Sequence, residues 1–377
     1  MASYSWIDSP AAFERALETI RGEPRIAVDT EADSLYHYFE KVCLLQISTP
    51  AETFILDPLA LTDLRRLAPV MADPGIEKVF HAAGYDLYSL RRDYGFEFRN
   101  LYDTHLAAQF AGHEQLGLDT LLEKLLGVAH SKGRQRDDWS RRPLQPEQLD
   151  YAATDTHHLL ELRDVLEAEL EAKGRREWAR EEFEISAAAL VPAREFDPEG
   201  FRRIKGSRDL QLGELAVLRA LYLLRDRLAR ELDVPPFKVM NDSAMMDLAQ
   251  RPPVSAQSLA GRPGLSHRVG RKYAAEVYGA ISEARAADPS FLIQPRRRAL
   301  RPDAAVKMRV ERLKRWRLEK GRELGLHVGV VFPGWMLDAL AAAPPSDLVQ
   351  LESFEGMRRW RARLFGLEIL QLVSNGR

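Results

Sequence analysis

The sequence predicts a mixed α/β domain followed by all-helical domains. Up to about residue 172, short apolar segments typical of strands alternate with segments of helical periodicity. From Lys173-Gly174 onward the strand pattern stops, and the long periodic segments are helical. This later part also contains an approximate repeat of helices. A chain of 377 residues is long for one domain, which agrees with a division into two or three.

The composition is that of a soluble globular protein. Hydrophobic residues make up 45% of the chain and charged residues 29%, and no apolar run approaches the roughly 20 residues that cross a bilayer. The first residues carry no secretory signal, and the single cysteine, Cys43, excludes a disulfide framework, so we expect a cytoplasmic protein. The net charge of −2 does not decide whether nucleic acid is bound. A basic segment from Arg296 to Arg317 is either a phosphate-binding surface or a solvated linker.

The individual elements follow from periodicity and from turn residues. Three successive strands with short connections suggest an antiparallel meander. The predicted strands are Ile26–Val28, Val42–Ser48, Thr53–Leu56, Lys78–His81 and Leu101–Thr104. The predicted helices before residue 173 are 8–21, Leu61–Met71, Gly84–Tyr94, 104–111, 118–127 and 146–172.

The repeat in the helical part has matching order and spacing but low identity. An amphipathic helix over Leu218–Leu232 is followed by Met245–Ala249 and then by a proline pair. Later, Leu313–Leu324 is followed by Met336–Leu340 and a second proline pair. We interpret these segments as two small helical domains related by duplication.

Two acidic residues directly follow the first predicted strand. Side chains alternate between the two faces of a strand, so Asp29 and Glu31 point the same way. Two carboxylates on one face repel each other unless a cation lies between them, and carboxylate oxygens are the ligands that Mg²⁺ and Mn²⁺ prefer. The alternative is a solvated strand end.

Further acids occur at positions where helices pack on such a strand. Asp86 falls in the first turn of a predicted helix, where it also suits the helix dipole. Tyr151 and Asp155 are four residues apart on another helix and share a face, so the phenol can orient or help deprotonate an attacking water beside a metal-bound carboxylate. A nuclease that uses two metals needs about four such carboxylates. Each of these patterns alone also fits an ordinary surface acid.

In combination, the motifs resemble the ribonuclease D family of DEDD 3′–5′ exonucleases. The three family motifs are matched by Val28–Glu31, His81–Asp86 and Tyr151–Asp155, the last in the tyrosine form. The resemblance covers about residues 1–190. It implies a ribonuclease H-like fold, two Mg²⁺ or Mn²⁺ ions, and release of nucleoside 5′-monophosphates from RNA 3′ ends. It assigns Asp29, Glu31, Asp86 and Asp155 to the metals and Tyr151 to the nucleophilic water.

The helical half resembles HRDC domains, which occur in ribonuclease D and in RecQ-type helicases. No Gly-x-x-x-x-Gly-Lys-Ser/Thr loop is present, so a nucleotide-triphosphate motor is not expected. The expected boundaries are 1–190 for the exonuclease domain, 191–206 for a linker, 207–287 for an HRDC domain, 288–301 for a basic linker and 302–377 for a second, divergent HRDC-like domain.

Four further residues are candidates for contact with the substrate. Leu35 follows the strand that carries Asp29 and Glu31 and could wedge beside the terminal base. His81 could contact a phosphate or a metal-bound acid, or it could be a hydrogen-bonded residue at a strand end. Trp139 could stack on a base or pack in the core, and Arg141 could pair with a phosphate.

The sequence therefore predicts a 3′–5′ exoribonuclease that acts on RNA with a free 3′ end, with tRNA precursors as the expected substrate. Two alternatives stay open: a DNA 3′–5′ exonuclease, and an RNA-binding scaffold that has lost catalysis. No membrane association is expected, and protein partners are left undetermined.

Overall fold

A computed structural model describes residues 3–61, 63–129, 133–190, 195–293 and 303–374. The chain divides into two compact units. The first unit is formed within residues 1–31, 42–191 and 300–377, and the second within 32–41 and 192–299. Parts of the two expected linkers, 191–194 and 294–301, lie outside the described residues, as does residue 302. The expected domain boundaries therefore stay predictions.

A six-stranded mixed sheet forms the centre of the first unit. The strands are β1 (Tyr4–Ile7), β2 (Arg25–Ala32), β3 (Val42–Ser48), β4 (Thr53–Leu56), β5 (Glu77–Phe80) and β6 (Leu101–Asp103). Their order is β1-β4-β3-β2-β5-β6. β3 pairs with β4 antiparallel, whereas β1–β4, β2–β5 and β5–β6 are parallel pairs. The mixed sheet is confirmed, and β1, which the sequence analysis missed, adds a parallel edge strand.

Helices flank this sheet. They are α1 (Pro10–Arg21), α2 (Ala68–Ala72), α3 (Gly84–Tyr94), α4 (Thr104–Ala111), α5 (Leu118–Leu126), α6 (Pro146–His157), α7 (Leu159–Ala172) and α8 (Arg176–Ala188). The single helix predicted over 146–172 is wrong, because the chain turns at His158, whose φ of −101° and ψ of 0° are not helical. The helix predicted over Leu61–Met71 is also wrong in extent, since a 3₁₀ turn over Leu64–Leu67 leads into the short α2.

Two sets of helices of similar order follow. The first set is α9 (Leu212–Leu232), α10 (Pro236–Val239), α11 (Asp242–Gln250), α12 (His267–Lys272) and α13 (Ala274–Ala286). The second set is α14 (Ala304–Leu324), α15 (Val328–Val331), α16 (Gly334–Ala342), α17 (Leu348–Glu352) and α18 (Arg359–Ser374). Both sets begin with a helix of 21 residues and continue with helices of four and nine residues, so the predicted repeat is confirmed.

The second helical set packs within the first unit. Trp316 and Phe365 belong to the same hydrophobic cluster as Leu121 of α5 and Leu162 of α7. None of the helices in the described ranges combines the length and apolarity of a membrane-spanning segment.

Ion pairs accompany this shared cluster. Glu182 of α8 lies 2.9 Å from the Nε of Arg358 and 3.2 Å from a guanidinium nitrogen of Arg361. The indole rings of Trp178 and Trp360 stack with centroids 4.9 Å apart. The second helical domain therefore completes a core that starts in the α/β part.

In the second unit, residues 32–41 pack on the first helical set. The hydroxyl of Tyr38 donates to Asp226 at 2.6 Å, and a ring nitrogen of His37 lies 2.7 Å from Asp233. Asp233 also accepts the backbone amides of Tyr38 and Phe39. The segment after the predicted metal strand is thus attached to α9.

Candidate active site

The strand β2 carries the first two candidate ligands. Ile26 and Val28 are fully buried, as expected for β-branched residues in a strand that lies between two neighbours in the sheet. Towards the end of the same strand, Asp29 and Glu31 are half-buried. Their separation by one residue places both carboxylates on one face.

The helix α6 brings the third carboxylate to the same place. It begins at Pro146, after a reciprocal capping box between Gln145 and Gln148. This defined start sets the helical register and therefore the face on which Tyr151 and Asp155, one turn apart, both lie. Asp155 is buried, at 7% exposure. Three residues each place one carboxylate oxygen within 4.8 Å of the oxygens of the other two. They are Asp29, Glu31 and Asp155.

The fourth candidate ligand, Asp86, lies in the first turn of α3 and is also buried. It accepts a hydrogen bond from the hydroxyl of Thr30, the residue between the two acids of β2. Thr30 therefore connects the strand to the helix that carries Asp86. The group of mutually close oxygens contains Asp29, Glu31 and Asp155 but not Asp86.

Burial and nearby negative charges raise the pKa values of the Asp29, Glu31 and Asp86 carboxyl groups. Burial is the larger cause for Asp29, followed by the negative charges of Asp86, Asp155 and Glu31. The pKa of Glu31 rises for the same reasons. Burial raises the pKa of Asp86 to about 7, although the hydrogen bond from Thr30 opposes the shift. Such a cluster is costly to ionise without a compensating cation.

The negative charges of these carboxylates also act on the Tyr151 phenol. Burial and then the charges of Asp155, Glu31 and Asp29 raise its pKa well above the usual range, and a hydrogen bond to Asp155 adds to the shift. The phenol therefore stays protonated at neutral pH. It can orient a polar group near the carboxylates.

The donor set fits a hard divalent cation. All three close ligand atoms are carboxylate oxygens, which suit Mg²⁺ or Mn²⁺ and are poorly suited to softer metals. A positive ion would also relieve the repulsion that contributes to the raised pKa values of Asp29 and Glu31.

The lower-ranked candidates lie in different surroundings. Trp139 is only 1% exposed and packs 6.2 Å from the Tyr151 ring, so the structure places it in the core, the alternative that the sequence left open. A ring nitrogen of His81 lies 2.9 Å from the hydroxyl of Thr104. The Arg141 side chain is 80% exposed and pairs with Asp138. Leu35 is exposed and belongs to the second unit.

Three residues at this site carried no functional prediction from the sequence. Thr30 binds Asp86, Asp137 adds to the charges that raise the pKa of Glu31, and buried Asp103 lies close enough to raise the pKa of Asp86. Thr30 lies inside the first motif, between Asp29 and Glu31, and this position could have indicated a role at the site. Asp103 is the last residue of a short strand, where an acid is equally typical of a helix cap.

Comparisons with known proteins agree with this geometry. Residues 4–171 match the 3′–5′ exonuclease family, and residues 214–281 and 306–373 each match the HRDC domain. Ribonuclease D of Granulibacter bethesdensis is 32% identical over 367 residues, which cover 94% of this chain and 89% of that protein.

Two solved structures are similar in fold as well as in sequence. The crystal structure of Escherichia coli RNase D, described as an exoribonuclease involved in structured RNA processing, has a TM-score of 0.69 at 26% identity and covers 99% of both chains. The catalytic core of RRP6 from Trypanosoma brucei has a TM-score of 0.70 at 30% identity, over 75% of this chain and 80% of that one.

The fold, the carboxylate site and these similarities define a 3′–5′ exoribonuclease, a phosphodiester hydrolase of a metal-dependent exonuclease class. The similarity to curated relatives extends through both helical domains. The chain belongs to the ribonuclease D family.

Proposed function

We propose that the carboxylates of Asp29, Glu31, Asp86 and Asp155 hold two divalent ions, Mg²⁺ or Mn²⁺, and that Tyr151 positions the attacking water. The substrate is RNA with a free 3′ end, and the products are nucleoside 5′-monophosphates and RNA shortened by one nucleotide. Tail removal from tRNA precursors is the proposed cellular reaction.

One observation carries this proposal. Carboxylate oxygens of Asp29, Glu31 and Asp155 lie within 4.8 Å of one another, although burial and repulsion penalise three negative charges at that distance. Bound cations would offset the repulsion, activate water and neutralise charge on the scissile phosphate. Asp86 is held beside this group by Thr30 and supplies the remaining ligand.

Individual side chains are proposed to have separate roles in binding water and RNA. The protonated Tyr151 phenol, oriented by Asp155, can accept a hydrogen bond from water at one side of the phosphate. The exposed guanidinium of Arg141 is proposed to contact an RNA phosphate, and Leu35 a base. His81 is proposed to act at the edge of the site, where Thr104 already fixes its ring.

The first test is a time course on a 5′-labelled RNA with a single-stranded 3′ tail, in Mg²⁺, in Mn²⁺ and in EDTA, beside a DNA of the same sequence. We expect a ladder that shortens from the RNA 3′ end and disappears in EDTA. Equal cleavage of the DNA would contradict selectivity for RNA. RNA binding without any shortening in either metal would contradict the assignment of the carboxylates.

The tRNA assignment needs its own comparison. E. coli RNase D is described as acting in structured RNA processing, and similarity to it makes a folded RNA with a short 3′ extension the natural candidate. A tRNA precursor should be trimmed to its mature end, whereas a blunt hairpin of equal length should resist. If both are degraded at the same rate, the tRNA proposal does not hold.

A further inference from the structure

A buried carboxylate next to the metal ligands forms an unusual set of hydrogen bonds. Asp103 ends β6 and is only 3% exposed. As expected for an N-cap, it accepts the amides of His105 at 2.9 Å and Leu106 at 3.3 Å at the start of α4. It also accepts two amides from another part of the chain, those of Ala82 and Ala83, each at 3.0 Å.

The second pair of amides belongs to the turn between β5 and α3. Ala82 has a φ of +58°, a left-handed conformation that costs a residue with a side chain roughly 1–2 kcal/mol. The residue is exposed, so neighbouring side chains do not explain this conformation. The two hydrogen bonds to Asp103 offset the cost and fix the turn.

This turn determines where the helix α3 starts. Gly84 begins α3, and Asp86 lies in its first turn, three residues after Ala83. A shift of the turn would therefore move the Asp86 carboxylate relative to its partner Thr30 on β2. One carboxylate thus fixes the starts of two helices, and one of these carries a proposed metal ligand.

We propose that Asp103 is a positioning residue for the metal site. It acts through the left-handed turn at Ala82 and sets the place of Asp86. Both oxygens of Asp103 are directed to backbone amides, so its role is distinct from that of a ligand. The inference rests on the proposed function, because it assumes that Asp86 binds metal.

The test is the Mg²⁺ affinity of Asp103→Asn in the full chain, measured directly by isothermal titration calorimetry without RNA and also as the Mg²⁺ dependence of 5′-monophosphate release. The amide keeps one acceptor oxygen but replaces the other with an NH₂ group, which cannot accept from the Ala83 amide. We expect the Mg²⁺ concentration for half-maximal rate to rise about 10- to 100-fold, as is typical when a residue that orients a metal ligand is changed. The rate at saturating Mg²⁺ should recover most of its value.

A second substitution separates positioning from general stability. Ala82→Gly removes the penalty of the left-handed turn, so the double variant with Asp103→Asn should recover much of the Mg²⁺ affinity. Asn100→Gly is the matched control, since Asn100 is also exposed and left-handed, at φ +51°, but the turn at Ala82 does not include it. It should leave the Mg²⁺ dependence of the Asp103→Asn variant unchanged.

An unchanged Mg²⁺ dependence in Asp103→Asn would overturn the proposal, and so would rescue by Asn100→Gly as strong as by Ala82→Gly. If Asp103→Asn does not fold, Ala82→Val tests the same turn with Asp103 intact, because a β-branched residue strongly disfavours positive φ. That variant should also need more Mg²⁺, and a normal requirement would overturn the inference. Failure of the proposed function looks different: the unaltered protein would show no metal-dependent shortening at all.

Discussion

The buried ion pairs of Glu182 give the sharpest stability prediction. The Glu182 carboxylate lies between Arg358 and Arg361, and the Arg361 side chain is only 6% exposed. Burial lowers the pKa of Arg361 to about 10, so the guanidinium is still charged at neutral pH. Glu182→Ala would remove the strongest counter-charge of this buried guanidinium.

The expected loss follows from the environment. Removing one partner of a buried pair costs about 3–5 kcal/mol. Arg361 still donates to the carbonyls of Val331 and Val330 at 3.1 and 3.0 Å, which places the loss at the lower end of that range. The Arg358 contribution is smaller than that of Arg361, because its side chain is 23% exposed and water can solvate its charge once Glu182 is removed. We therefore expect the free energy of unfolding to fall by about 3 kcal/mol.

Urea denaturation followed by tryptophan fluorescence measures this loss, since Trp178 and Trp360 stack in the same interface. The matched control is Glu184→Ala on the same helix. Glu184 pairs with Arg359 at 3.6 Å, but the two side chains are 60% and 72% exposed, so its loss should stay below about 1 kcal/mol. Equal, small losses for Glu182→Ala and Glu184→Ala would refute the reasoning.

Three other predictions concern the site and the interface. Asp155→Asn should abolish RNA shortening with normal circular dichroism, whereas Tyr151→Phe should keep measurable activity because the carboxylates remain; near-normal turnover of a folded Asp155→Asn protein would contradict the site. In EDTA, the free energy of unfolding should fall as pH rises from about 4 to about 7, since the folded-state pKa of Asp86 is raised to about 7 and its stabilising contribution is lost as pH passes that value. Saturating Mg²⁺ should remove this fall. Chemical denaturation at several pH values, with EDTA and with Mg²⁺, measures the free energy of unfolding in both cases. Gly112→Ala should destabilise more than Gly127→Ala in thermal unfolding: both have positive φ, but only at Gly112 would a Cβ come 2.7 Å from a backbone carbonyl of the second helical domain. Equal losses would mean that this close approach does not matter.

Several elements could be predicted to the residue, for local reasons. The strands β3 and β4 are continuous apolar runs with a turn between them, and α3 ends at Gly95, whose φ of +70° is typical of a C-cap. The pairing of Asp29 and Glu31 follows from strand alternation alone. These features depend only on neighbours in sequence.

Other features depend on distant parts of the chain, so the sequence could not predict them. The turn at His158 contains neither glycine nor proline, and the strand β1 has only one buried residue, Ile7. The hydrogen bond from Thr30 to Asp86 requires the placement of α3 against β2. Attachment of the segment 32–41 to α9 joins residues almost 200 positions apart.

The core shared by the α/β part and the second helical domain has a consequence for synthesis. Domains usually fold in order as the chain leaves the ribosome. Here Leu121 and Leu162 share a hydrophobic cluster with Trp316 and Phe365, which are translated more than 150 residues later. The part of the apolar surface around these leucines that α14 and α18 cover is therefore exposed until those helices have emerged. Completion of the nuclease core is in this way linked to synthesis of the helices α14 to α18, and a chain terminated before them exposes a surface that chaperones and proteases recognise.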